Sequence, residues 1–76
     1  MPERPLPASL EAERLILGSM LAGHIDPEHV LAVVAPDDFS LDAHRKIVAV
    51  IRDLAKRGEA ITRVSVYHEL RAHDWH

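Results

Sequence analysis

A nearly all-apolar segment from Leu10 to Ala22 constrains the fold of this chain more than any other feature. Ser9 precedes the segment and can accept hydrogen bonds from the free N–H groups of a first helical turn. Glu11 and Glu13 place negative charge at the positive end of the helix dipole. When the segment is projected at ~100° per residue, apolar side chains cover most of its circumference. Such a helix is typical of the centre of a bundle, so we predict that the first helix lies there.

Start and stop signals predict a short second helix, from about Pro27 to Val34. Asp26 is a suitable N-cap, and Pro27 fits the first helical position. The helix is limited by Pro36, because a residue that precedes proline avoids helical angles. A turn follows it, and Phe39 at the end of this turn is the expected core anchor.

The third helix, from about Leu41 to Arg57, has the clearest periodicity. One face carries the apolar residues, with Leu41 at its start, and Gly58 is the expected C′ residue. Thr62 is the expected cap of a fourth helix. No segment alternates as a strand would, and the sequence therefore predicts an all-α fold, a small orthogonal helical bundle of about four helices.

Length and composition bound the domain organisation. The 76 residues form one small domain at most, with a net charge of −3 and no cysteine, so disulfides and thiolate metal sites are excluded. Residues 1–8 hold three of the five prolines and are predicted to be a flexible arm. Residues 9–76 are predicted to form the helical head. No run is long enough to cross a bilayer and no signal peptide is evident, so we expect a cytoplasmic protein.

Two residues of the first helix carry specific expectations. Gly18 would permit a close helix crossing. Glycine is otherwise mildly unfavourable in the middle of a helix. Glu13 falls inside the apolar arc, and a partly buried carboxylate needs a partner. We predict that Glu13 pairs with His44 or Arg45 at the start of the third helix, as a structural ion pair and not as a catalytic acid.

Metal and catalytic chemistry find little support in the sequence. The chain has six histidines, namely His24, His29, His44, His68, His73 and His76. Pairs that bind one ion from a helix need a spacing of three or four residues, and the histidine pairs are five apart or lie at the terminus. No nucleophile elbow and no phosphate-binding glycine loop occur. We predict no catalytic residue, no metal site and no cofactor site.

The outer side of the third helix is the one candidate contact surface. Against an acidic background, this side has six charged residues, of which all but Asp53 are cationic: Arg45, Lys46, Arg52, Asp53, Lys56 and Arg57. A solvated helix face is the simpler interpretation. A dock for an acidic partner or a phosphate backbone is the alternative, with Arg45, Arg52 and Lys56 as the candidate partner-binding residues.

Four segments, in the same order, resemble the N-terminal domain of DnaB-type replicative helicases. They are Ser9–Leu21 (S-x-E-A-E-x-x-x-L-G-x-x-L), Val34–Phe39, His44–Ile47 and Ile61–Leu70. Thr62 stands where the family commonly has aspartate, which keeps a capping oxygen. Residues 71–76 depart from the glycine-rich continuation of the family, and its helical hairpin and motor domain are absent. We therefore expect a piece truncated before the hairpin.

The resemblance implies a non-catalytic collar or docking module of a hexameric, ATP-driven helicase. Its partners would be other helicase subunits, primase and a helicase loader, and DNA would be bound by the parent hexamer rather than by this domain. ATP and Mg²⁺ would belong to the motor domain alone. Two alternatives remain open: a small nucleic-acid-binding domain that uses the third helix, and the helicase-binding domain of a DnaG-type primase.

Overall fold

A computed structural model describes residues 10–74, and the statements below concern that range. It contains four α-helices and one 3₁₀ turn, namely α1 (Leu10–Leu21), α2 (Pro27–Leu31), the turn Pro36–Asp38, α3 (Asp42–Lys56) and α4 (Arg63–Ala72). No strand occurs in this range, which confirms the all-α prediction. No helix in it is long and apolar enough to span a membrane. The predicted arm, residues 1–8, and the predicted cap Ser9 lie outside the described residues.

The central helix is α3, and the prediction that α1 is central was wrong. Helix α3 packs against α1, α2, the 3₁₀ turn and α4. It also supplies much of the buried core, whose apolar members are Leu17, Met20, Val34, Phe39, Val48, Val50, Ile51, Leu54 and Val66. Helix α1 buries Leu17 and Met20 but leaves Leu15 71% exposed. An apolar circumference does not require burial on all sides when a longer amphipathic helix with a polar outer face can occupy the centre.

The predicted caps are present where the structure describes them. An Asp26 oxygen accepts a hydrogen bond from the Glu28 N–H at 3.0 Å at the start of α2. At the start of α4, the Thr62 hydroxyl accepts from the Ser65 N–H at 3.0 Å. The Ser65 hydroxyl in turn accepts from the Thr62 N–H at 2.9 Å. These bonds satisfy amides that have no partner inside the helix.

Gly58 ends α3 with a left-handed backbone, at φ 71°. Its N–H donates to the Ala55 carbonyl at 3.1 Å, and the Glu59 N–H donates to the Leu54 carbonyl at 3.0 Å. These are the two bonds of a Schellman motif, in which glycine avoids the Cβ clash of the left-handed region. The motif turns the chain so that α4 can pack against α3.

Three local expectations need correction. Helix α2 stops at Leu31 rather than Val34; the Val34 N–H still donates to the Val30 carbonyl at 2.9 Å, and the chain is extended at Ala35, before Pro36. Leu41 precedes α3 as its N-cap and is 41% exposed, so it does not lie on the core face. A Cβ at Gly18 would meet nothing within 4 Å, so no other helix of residues 10–74 crosses α1 closely there.

Phe39 is the anchor that joins the turn to the core. Its side chain is 1% exposed, and its N–H donates to the Pro36 carbonyl at 3.1 Å. The Asp38 carboxylate accepts from the Ala35 N–H at 2.9 Å and closes the turn. The segment after the turn is thereby held against the first turn of α3, where the polar cluster described next is found.

Candidate functional site

A buried polar cluster joins α1, the segment after Phe39 and the start of α3. The Glu13 carboxylate is 2% exposed. Its Oε1 lies 2.7 Å from His44 Nδ1. Its Oε2 accepts from the Ser40 hydroxyl at 2.6 Å and from the Ser40 N–H at 2.9 Å. Because a carboxylate offers only acceptors, the His44 ring must carry its proton on Nδ1. The predicted pairing of Glu13 with His44 is present.

These contacts hold the pKa of Glu13 at about 2. The hydrogen bond from the Ser40 side chain lowers it most, burial acts in the opposite direction, and His44 and backbone N–H groups lower it further. Such a carboxylate stays ionised at neutral pH and is a poor proton carrier, since general acids and bases work best with a pKa near the operating pH. The cluster is therefore suited to holding three segments together, not to proton transfer.

Ser40 is the member of this cluster that the sequence reasoning missed. Because the carboxylate of Glu13 was predicted to be partly buried, a hydrogen-bond donor was expected beside it, and His44 at the start of the third helix was one of the two candidates. Nothing in the sequence marks Ser40 as a neighbour of Glu13, which is 27 residues away along the chain. Only the position of the turn, set by Phe39, brings the hydroxyl to the second carboxylate oxygen.

Arg45 does not pair with Glu13 but donates hydrogen bonds to the backbone of the same segment, at Phe39 and Ser40. Its Nε donates to the Phe39 carbonyl at 2.8 Å, and its Nη2 donates to the Ser40 carbonyl at 3.0 Å. Asp42, at the start of α3, lies 3.8 Å from the guanidinium and 3.2 Å from the Lys46 ammonium. This end of the basic face is thus bonded within the chain and partly neutralised.

Arg52 and Lys56 remain as the open part of the basic face. Both side chains border two surface grooves, of about 250 and 350 Å³. The first groove also includes Asp53 and His73 at its edge, and the second includes Glu28. Within residues 10–74, neither Arg52 nor Lys56 forms an ion pair. The structure therefore separates the three candidate residues into one bonded arginine and one exposed cationic pair.

Arg57 is bonded to α4, so its charge is not available on the basic face. Its guanidinium donates to Glu69 Oε2 and lies 4.0 Å from an Asp53 oxygen and 3.8 Å from a Glu59 oxygen. The hydrogen bond to Glu69 raises the pKa of Arg57, and the same bond lowers the pKa of Glu69. The pairing fixes α4 against the end of α3.

Asp53, Glu69 and His73 form a group that the spacing of the histidines did not indicate. One ligand atom from each lies within 4.8 Å of the other two. Glu69 lies on α4 and His73 is its C-cap residue four positions later, a spacing that suits two ligands of one ion. Arg57 already binds one oxygen of Glu69, and Arg52 and Lys56 line the adjoining groove. A divalent cation would face this positive charge, so the group supports no metal site.

Comparisons with known proteins agree on one family. A family model described as the DnaB-like helicase N terminal domain matches residues 5–75. A replicative DNA helicase DnaB from Pasteurella multocida (strain Pm70) is 34% identical over 77 residues, which cover 93% of this chain and 16% of the relative. A replicative DNA helicase DnaB from Geobacillus stearothermophilus is 37% identical over 73 residues, which cover 92% of this chain and 15% of the relative.

The chain thus spans 15–16% of the length of these curated relatives. No solved structure matches it significantly. Both relatives are helicases, which favours the helicase resemblance over the primase alternative.

Proposed function

Since the chain belongs to the family of DnaB-like helicase N-terminal domains, we propose that it is a docking module of a replicative DNA helicase. In this proposal it acts in the cytoplasm as part of the collar of a hexamer. It contacts other helicase subunits and receives primase or a helicase loader. It performs no catalysis and holds no cofactor; ATP and Mg²⁺ belong to a motor domain.

The observation that supports a docking role is that, in the described part of the chain, several charged residues are paired within the domain, whereas Arg52 and Lys56 are not. Glu13 and His44 are bonded to each other inside the domain, and Arg57 is bonded to Glu69. Arg52 and Lys56 instead border two grooves on the surface. Residues whose charge is satisfied within the chain stabilise the fold, whereas an exposed cationic pair beside a groove can select a partner of opposite charge.

A protein partner fits these grooves better than a nucleic acid does. Asp53 and Glu28 stand at the edges of the two grooves. A phosphate backbone would approach these carboxylates as well as the cations, and the chain as a whole carries a net charge of −3. An acidic protein surface with donors at its margin can satisfy both signs, as rims of protein interfaces commonly do.

The test is calorimetric titration of this domain, and of the full-length helicase, with the cognate primase and loader. We expect Arg52→Glu combined with Lys56→Glu to weaken binding of one of them about tenfold or more, with the thermal midpoint unchanged. Arg71→Glu, which reverses one exposed charge on α4 and lines neither groove, is the control. Unchanged affinity in the double variant, or an equal loss in the control, would contradict the assignment to this face. Tight binding of single-stranded DNA, lost in the double variant, would favour the nucleic-acid alternative instead.

A further inference from the structure

An open groove lies where the outer face of α1 meets the start of α4, away from the contacts described above. Its volume is about 280 Å³. Leu15, Gly18 and Ala22 contribute to it from α1 and its end, and Arg63 contributes from α4. Leu15, Gly18 and Ala22 are three or four residues apart, so they follow one another along one face of the helix.

The fold leaves the largest apolar side chain of this groove, Leu15, mostly exposed. The exposed fraction of Leu15 is 71%. Beside Leu15, the position of a Cβ at Gly18 is open for at least 4 Å. A side chain of a second molecule could enter there and cover Leu15. Burial of a leucine side chain is one of the larger single gains available to an interface.

The edges of the groove are cationic. Arg14 of α1 and Arg63 of α4 both line the groove, and within residues 10–74 neither of them forms an ion pair. Glu11, one turn before Leu15 on α1, is not among the residues that line the groove. Two arginines beside an exposed leucine, on a chain whose net charge is −3, mark a local positive region with an apolar floor.

We propose that this groove binds an amphipathic helix of a partner protein, with an apolar stripe flanked by acidic residues. The stripe would cover Leu15 and enter the space beside Gly18, and the flanking carboxylates would meet Arg14 and Arg63. A second copy of this surface would bring arginines against arginines, which like-charge repulsion disfavours. A nucleic-acid strand would leave Leu15 without an apolar partner. The proposal involves a different surface from Arg52 and Lys56, so either can fail without the other.

The experiment uses two synthetic helical peptides as probes. Both carry leucines three and four residues apart on one face; the flanks hold glutamates in one peptide and lysines in the other. Amide chemical shifts of the isotope-labelled domain are followed during titration. We expect the acidic peptide to shift amides of Leu15, Gly18 and Arg63, and the basic peptide to leave them in place. Gly18→Leu should weaken the acidic peptide about tenfold or more, because the added side chain fills the open space.

Gly18→Leu also separates binding from folding. Leucine has the higher helix propensity, and a Cβ at this position meets nothing within 4 Å, so the variant should melt at or above the temperature of the original chain. Ala43→Leu, which adds the same side chain at an exposed position of α3, is the matched control and should bind like the original. Arg14→Glu combined with Arg63→Glu should reverse the preference, so that the basic peptide binds and the acidic one does not.

Several results would overturn the proposal. They are no binding of the acidic peptide, shifts confined to another face, equal binding of both peptides, or undiminished binding by Gly18→Leu. Self-association of the domain alone that Gly18→Leu abolishes would also overturn it, since a second copy would then be the occupant. Analytical ultracentrifugation over a range of concentrations provides that last measurement.

Discussion

Replacing Ser40 by alanine tests whether the buried cluster holds the domain together. The substitution removes the 2.6 Å hydrogen bond from the Ser40 hydroxyl to Glu13 Oε2 and keeps the backbone bond at 2.9 Å. A hydrogen bond to a charged group contributes about 1.5–3 kcal/mol. Ser40 is exposed and water can partly replace the hydroxyl, so we expect a loss of about 1.5–2 kcal/mol from the free energy of unfolding.

The expected loss corresponds to a clear change in thermal stability. A domain of this size shifts its midpoint by about 4–8 °C for each kcal/mol, so Ser40→Ala should melt ~6–16 °C lower near neutral pH. Differential scanning calorimetry or circular dichroism measures the midpoint. Ser19→Ala, on α1, is the control. It exchanges a serine for a better helix former and should leave stability unchanged or slightly higher.

The pH dependence gives the same prediction a second measurement. The pKa of Glu13 is lowered from 4.5 to about 2 in the folded state. A group with a depressed folded pKa stabilises the protein above its unfolded pKa and loses that contribution as pH falls through the folded value. The difference between Ser40→Ala and the original chain should therefore be full above pH 4.5 and shrink towards pH 2. A variant that melts like the original at pH 7 would refute this account of the cluster. So would a stability difference between variant and original that is the same near pH 2 as above pH 4.5.

Two further substitutions test the helix ends. Gly58→Ala places a Cβ on a residue at φ 71° and should lower the free energy of unfolding by about 1–2 kcal/mol. Gly18→Ala changes a helical glycine with open space around it and should raise that free energy by up to ~1 kcal/mol. Urea denaturation measures both variants, and equal effects would contradict the role of the left-handed backbone. Thr62→Ala removes the cap of α4 and should cost about 1 kcal/mol of stability, with faster amide exchange in the first turn of α4. Thr62→Ser keeps the capping oxygen, and its amides should exchange like those of the original chain. The same exchange rates in all three proteins would show that the cap is not needed.

Local signals in the sequence were sufficient for the elements and their caps. Asp26, Thr62 and Gly58 act through hydrogen bonds and backbone angles within a few residues of themselves. Their consequences depend little on the rest of the fold, and the predicted helices appear with bounds shifted by a few residues. The buried carboxylate of Glu13 also indicated its partner His44, because an ionised group inside a small core must be paired.

The arrangement of the helices was determined by tertiary packing alone. The composition of α1 suggested the centre of the bundle, yet α3 lies there, because its long amphipathic surface can cover several neighbours at once. Ser40 beside Glu13, and Glu69 beside Arg57, are pairs formed by chain segments that no local pattern connects. A periodic pattern states which face of a helix is apolar, but which neighbour covers that face depends on the shapes and connections of all the helices together. For this reason the sequence by itself determined the helices, their caps at Asp26, Gly58 and Thr62, and the family, while the structure decided where α2 ends and which surfaces remain open to a partner.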